Sequence, residues 1–233
     1  MKEIVQIRKL SLYIFFIPLV AVNLCLFISV NYNLLDNTIF LVDEIGKSGF
    51  TIPYLDGSLS ISRASRTYPQ FLIFKPSMII TAVLLYVYWK NNNKLICGFY
   101  NIPEKRFYFK TFGILSAVFL AIHSILLGVE LDVKVFKFLR RVVLLSFIIF
   151  EIIAQSLLVY NFYKLKHEIA NFINKKILTA KIFLVSILVS VALISIPILI
   201  KSGNIHFKHA LEWNYFIGVI TFYLLSSMFW KKQ

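Results

Sequence analysis

Six apolar stretches of 18 to 21 residues take up about half of this chain: residues 10–30, 71–89, 112–129, 142–160, 182–200 and 213–230. Wound as a helix, each is about as long as the hydrocarbon layer of a bilayer is thick, roughly 20 residues at 1.5 Å per residue. Backbone amides inside lipid have no water to bond, so helices that satisfy themselves are the expected solution. Composition agrees with this reading. With 59% hydrophobic and 15% charged residues and a mean hydropathy of +0.77, the chain falls well short of the roughly one-quarter charged residues of a soluble domain. The expected fold class is an all-α polytopic membrane protein: six transmembrane helices in one bundle over residues 1–233, with a structured outer loop, residues 31–70, between the first two helices.

Fifteen Lys and Arg fall on one side of this arrangement and ten on the other. The first group includes Arg8, Lys9, Lys90, Lys94, Lys105, Arg106, Lys164, Lys166, Lys175, Lys176, Lys181 and Lys232, and it predicts that both termini are cytosolic. The second group is partly offset by Asp36, Asp43, Glu44, Asp56, Glu130 and Asp132, although Lys134, Lys137, Arg140 and Arg141 form a basic cluster on that side. Trp89, Tyr160, Trp213 and Trp230 sit at span ends, where an aromatic ring with a polar edge prefers the interface. Lys75, one turn into the second span, is expected to reach the headgroups with its long stem. The net charge of +14 is dispersed through short loops, which leaves no room for a nucleic-acid-binding fold. The basic head before the first span reads as a retained anchor rather than a cleaved signal. Cys25 lies in a span and Cys97 in a cytosolic loop, so no disulfide is expected and lipidation of Cys97 is the minor alternative to an inert thiol.

The outer loop carries Asp56-Gly57, a turn signal, then Ser58, Ser60 and Ser62 alternating with Leu59 and Ile61, and then Arg63, Arg66 and Pro69. A turn followed by a short extended or helical cap over the outer helix ends is expected, against the alternative of a plain polar linker. In the basic loop, residues 161–181, Leu165, Ile169, Phe172, Ile173 and Ile177 recur at helical spacing among lysines. That pattern predicts an amphipathic segment along the inner membrane surface, with anionic lipid contact through Lys164, Lys166, Lys175 and Lys176. The alternative is a topology signal flanked by helix ends.

A charge in hydrocarbon costs at least about 2.5 kcal/mol, so polar groups inside the spans are informative. Glu151 with Gln155 one turn on, and His123 in the third span, are expected to meet across the hairpin; the pair locks two helices or serves proton chemistry. Asn23 reads as an interhelical hydrogen bond. Gly113, Ala117, Ala121, Ser124 and Gly128 form a small-residue stripe that predicts a central third helix. His206, His209 and Glu212 stand three apart, but zinc-hydrolase spacing is absent and a hydrogen-bonded outer rim is expected in place of a metal. There is no glycine-rich phosphate loop, no catalytic motif and no sign of a cofactor.

The segment YLDGSLSISRASRTYPQFLIFKPSMI, with Ser60-Ile61-Ser62 and Pro69, together with Glu212-Trp213 at the opening of the last span, resembles the six-span Frag/DRAM/Sfk superfamily, which includes the GPI-anchor remodelling factors. The resemblance implies lipid-linked membrane biology, and no catalytic residue carries over. On this basis a lipid-binding, lipid-organising or lipid-remodelling protein is expected. Its outer-leaflet groove would be capped by residues 56–66, with Asp56, Ser60, Ser62, His209, Glu212 and Trp213 as candidates and Arg63 and Arg66 meeting phosphate. The alternatives are an intramembrane enzyme or proton-coupled carrier centred on His123 and Glu151, and a scaffold recruiting a cytosolic partner.

Overall fold

The computed structural model describes residues 2–103, 107–129, 134–200 and 203–231, without the side chains of Lys134, Lys137, Leu199 and Ile200. Lys105, Arg106, Glu130, Asp132, Lys201 and Lys232, counted above for orientation, lie outside the described residues. Six long helices dominate: α1 (Lys2–Val30), α4 (Phe71–Phe99), α5 (Tyr108–Leu126), α6 (Lys134–Lys164), α7 (Lys175–Ile200) and α8 (Ile205–Phe229), with two short ones, α2 (Pro53–Asp56) and α3 (Ile61–Ser65), between α1 and α4. No strand occurs among the described residues; Ile173 and Trp230 form one isolated antiparallel bridge.

Five of these helices, all but α8, are long and apolar enough to cross a membrane, and the chain is a multi-pass membrane protein. α8 is as long as its neighbours, but Trp213, Asn214, Tyr215, Tyr223, Ser226 and Ser227 lower its hydropathy. Lipid is as apolar as a protein core, so these helices are greasy on every face and burial, not sequence, distinguishes their sides. On α1 the buried residues Ile4, Ile7, Ser11, Ile14, Pro18, Ala21 and Cys25 repeat at alternating spacings of three and four. Tyr13, Phe16, Val20, Leu24 and Phe27 remain exposed. That spacing is the seam of a left-handed helix pair.

The helices close into a ring: α1 packs on α4, α4 on α5, α5 on α6, α6 on α7, α7 on α8, and α8 back on α1. The start of α1 and the last turn of α8 meet at one end of it, where Arg8 Nε donates to the Ser227 carbonyl at 3.1 Å; α2 and α3 cover the other end. We call these the terminal end and the cap end.

Several expectations change in this ring. α5 is not central but one wall, and its small residues admit α4: a Cβ on Gly113 would lie 2.3 Å from the Trp89 ring. α4 runs ten residues beyond the expected span, so Trp89 and Cys97 are buried on a helix rather than placed at an interface and in a loop. Trp213 and Trp230 are buried too, leaving Tyr160 as the exposed member of the four depth markers. Residues 165–172 form turns, not an amphipathic surface helix. Leu165, Ile169 and Ile173 turn into the core, because the end of α8 and the residues after it, Trp230 and Lys231, fold under them: Asn174 N–H donates to the Phe229 carbonyl at 2.8 Å and Lys231 N–H to that of Phe172 at 2.9 Å.

Candidate functional site

The cap is built by Asp56. Its carboxylate accepts the backbone N–H groups of Ile52 at 2.9 Å and Ser58 at 2.8 Å and the Thr51 hydroxyl at 2.8 Å. The Ser58 N–H, foremost among these donors, holds the Asp56 carboxyl down to a pKa of about 2. Gly57 follows with φ +60°, and a Cβ there would lie 1.7 Å from the His206 carbonyl oxygen; the turn needs glycine both for its backbone and for contact with α8. Ser60 then caps α3, its hydroxyl accepting the Arg63 N–H at 3.1 Å.

The polar residues at the cap end of α8 hold this turn in place. Asn214 Nδ2 donates to the Tyr54 carbonyl (2.7 Å), His209 Nδ1 lies 3.0 Å from the Gly57 carbonyl, and Trp213 Nε1 donates to the Leu59 carbonyl (2.7 Å). The Glu212 carboxylate faces the backbone N–H groups of Ile61 and Ser62 at the start of α3. From α1, Asn23 Oδ1 accepts the Tyr54 hydroxyl at 2.9 Å. His209, Trp213 and Asn23 are therefore pins between helix and cap. No group of metal-ligating residues occurs among the described residues, and His209 and Glu212 face backbone groups instead.

Beneath the cap, inside the ring, lies a cavity enclosing about 910 Å³ of empty space, its open mouth included. Its walls are mostly apolar, with Phe74, Met78, Leu120, Phe147 and Ile148 among them, and it reaches from Ser62 and Glu212 at the cap to Glu151 and Tyr223 deeper in the ring. Arg63 and Arg66 do not line it. Arg63 Nε instead donates to the Ile45 carbonyl at 3.2 Å.

Glu151 is 1% exposed. It accepts hydrogen bonds from the Ser116 and Tyr223 hydroxyls and from Gln155 Nε2, the last at 2.9 Å. Gln155 Nε2 also reaches the Val219 carbonyl of α8 at 3.3 Å. The expected hydrogen-bonded pair with His123 does not form. α6 starts at Lys134, eight residues earlier than the apolar run, which sets Glu151 level with Ser116, and His123 stands two turns, about 10 Å, nearer the cap. His123 is 8% exposed, lines the same cavity, and its Nδ1 has no hydrogen-bond partner.

The sequence reading also missed Lys181. Counted there as a cytosolic charge, it is fully buried near the terminal end. Its Nζ bonds the Ser226 hydroxyl at 2.7 Å and lies 4.0 Å from the Phe222 ring centroid, 5.2 Å from that of Phe229 and 5.7 Å from that of Phe162. Tyr88 donates to the same Ser226 oxygen at 3.1 Å. A lysine six residues inside a helix start, with phenylalanines concentrated on α6 and α8, was the available signal, but nothing local says that they converge. Of the four lysines named for anionic lipid, Lys164, Lys175 and Lys176 are exposed and Lys166 is half-buried; Lys164 and Lys166 lie over Tyr160 and Tyr163 at 4.5 and 4.3 Å. Comparison with protein-family models, curated proteins and solved structures gives no match.

Proposed function

We propose that this chain crosses the membrane six times with both termini cytosolic, and that it holds the hydrocarbon chain of a lipid in the cavity beneath the outer cap. The cavity carries this reading: it is apolar-walled, with a few polar groups, and lies inside the helix ring. α8 lies between α1 and α7 over a comparable length, which favours a sixth crossing. Ile39, Phe50 and Leu55 project exposed from the outer segment, in keeping with a cap seated at the outer headgroup layer. The resemblance of Ser60-Ile61-Ser62 and Glu212-Trp213 to the Frag/DRAM/Sfk proteins points to lipid-linked biology as well. At the other face, exposed Lys164, Lys175 and Lys176 are suited to anionic headgroups.

Native mass spectrometry of the full chain, gently extracted, tests the chain-holding reading. A lipid should stay bound to the wild type, and its occupancy should fall several-fold in Ile148→Trp and in Met78→Trp, which fill the cavity from two different helices. Unchanged occupancy in both folded variants would refute it.

A further inference from the structure

Every side chain that gives the cavity a formal charge is acidic. Glu212 sits at the cap end and Glu151 deeper, and no Lys or Arg is among the lining residues. Arg140, on the neighbouring stretch of α6, stacks over Phe136 at 5.4 Å and is not part of the lining, although its charge reaches His123. A carboxylate facing apolar space is costly unless a cation or several hydrogen bonds compensate it. Glu151 has three donors from its own protein. Glu212 has two backbone N–H groups and borders the mouth, where the head group of an outer-leaflet amphiphile would lie. His123 adds an independent sign of a missing ligand: a side chain more than nine-tenths buried, facing this cavity, with an unpartnered Nδ1. Buried polar atoms in proteins are rarely left unpaired.

We infer that the cavity selects a single-chain amphiphile bearing an amine, taking the ammonium between the Glu212 carboxylate and His123 Nδ1 and the tail along the apolar wall toward Glu151. An ammonium has three hydrogens to donate and no lone pair to offer. Glu212 accepts one, and an imidazole carrying its proton on Nε2 accepts a second through Nδ1. A fatty acid would bring its carboxylate against that of Glu212, and a phosphate would find no guanidinium or ammonium group among the lining residues. The inference rests on the chain-holding reading above and adds the chemistry of the head group.

The test compares oleylamine, oleyl alcohol and oleic acid, which share one tail, in competition for the full chain in neutral detergent at neutral pH, read by native mass spectrometry. Oleylamine should outcompete oleyl alcohol by about tenfold, as expected for one charge-assisted hydrogen bond, and oleic acid should bind weakest. General attraction to a chain of net charge +14 would favour the opposite order, so it cannot mimic this result. Glu212→Gln should bring the amine-to-alcohol ratio close to one, and His123→Leu should lower the ratio by a smaller factor. Equal binding of amine and alcohol by the wild type, stronger binding of the acid, or a preference that survives Glu212→Gln would overturn the inference. If Glu212→Gln does not fold, the three-ligand order on the wild type decides alone. If none of the three ligands binds, it is the chain-holding reading that fails.

Discussion

The two ends of the ring are held together by different chemistry. At the cap end, side chains of α8 bond to backbone carbonyls and amides of a short turn, and the space behind that turn is open. At the terminal end, Phe99, Phe162, Phe229 and Trp230 pack against one another, Lys181 is enclosed among phenylalanines, and Trp230 and Lys231 lie under the 165–172 turns. Directional bonds to a backbone fix the position of a loop without filling volume, and so can hold a roof over a cavity. Packed aromatic rings fill the volume they occupy, and the open space at this end lies outside them, in a basic groove lined by Ile4, Arg8, Lys9 and Lys231.

The sharpest way to break this contrast is at Glu151, between the two ends. Glu151→Ala leaves the Ser116, Gln155 and Tyr223 donors without their acceptor and should cost about 4 kcal/mol in thermal unfolding of the detergent-solubilised protein; a loss under about 1 kcal/mol would mean that water replaces the carboxylate. At the terminal end, Lys181→Ala empties its phenylalanine cage and should cost about 3 kcal/mol. Lys181→Met keeps the stem and should recover most of that loss. If the methionine variant is as unstable as the alanine one, the charge rather than the packing holds that end. At the cap end, Gly57→Ala meets both a left-handed backbone and the His206 carbonyl, and should cost about 2 kcal/mol. That loss should appear as protease cleavage within residues 50–66 while the helices stay protected.

Smaller effects sharpen the comparison further. Trp213→Phe removes one hydrogen bond to the cap and should cost about 1 kcal/mol, seen as faster amide exchange at Leu59 and Ile61 with no change near Trp230. The smallest effect is acidic. The Asp56 carboxyl is held down to about 2 in the folded cap, below its usual value of 3.8. Its contribution is therefore present above about pH 4 and disappears as the pH falls toward 2. The protection factor against amide exchange at Ser58 should fall across that window in the wild type and be insensitive to it in Asp56→Asn; the aromatic end should show no such step.

Much of the helix content was readable from apolar run lengths, because the bilayer imposes that length on every span. The run lengths misplaced helix ends wherever polar residues continued a helix: α4 passes through Asn91, Asn92 and Asn93 to Phe99, and α6 begins at Lys134. Those errors explain the failed meeting of His123 and Glu151, since eight residues of helix amount to about 12 Å of depth. For the candidate site, the turn at Asp56-Gly57 and the polar cluster from His206 to Asn214 were visible as two separate features. That the second binds the backbone of the first was not, because the partners are some 150 residues apart and backbone carbonyls leave no trace in a sequence.

The sequence alone determined the solvent and the existence of the long helices, since long apolar runs with few charges have one stable state in lipid, a self-satisfied helix. The closing of α8 onto α1, the burial of Lys181 and the pairing of two carboxylates with one cavity were decided by tertiary structure. Lipid-facing and ring-facing surfaces are equally apolar, so hydrophobic pattern carries no signal for which side of a helix turns inward. Only packing and the placement of hydrogen-bond partners settle that choice.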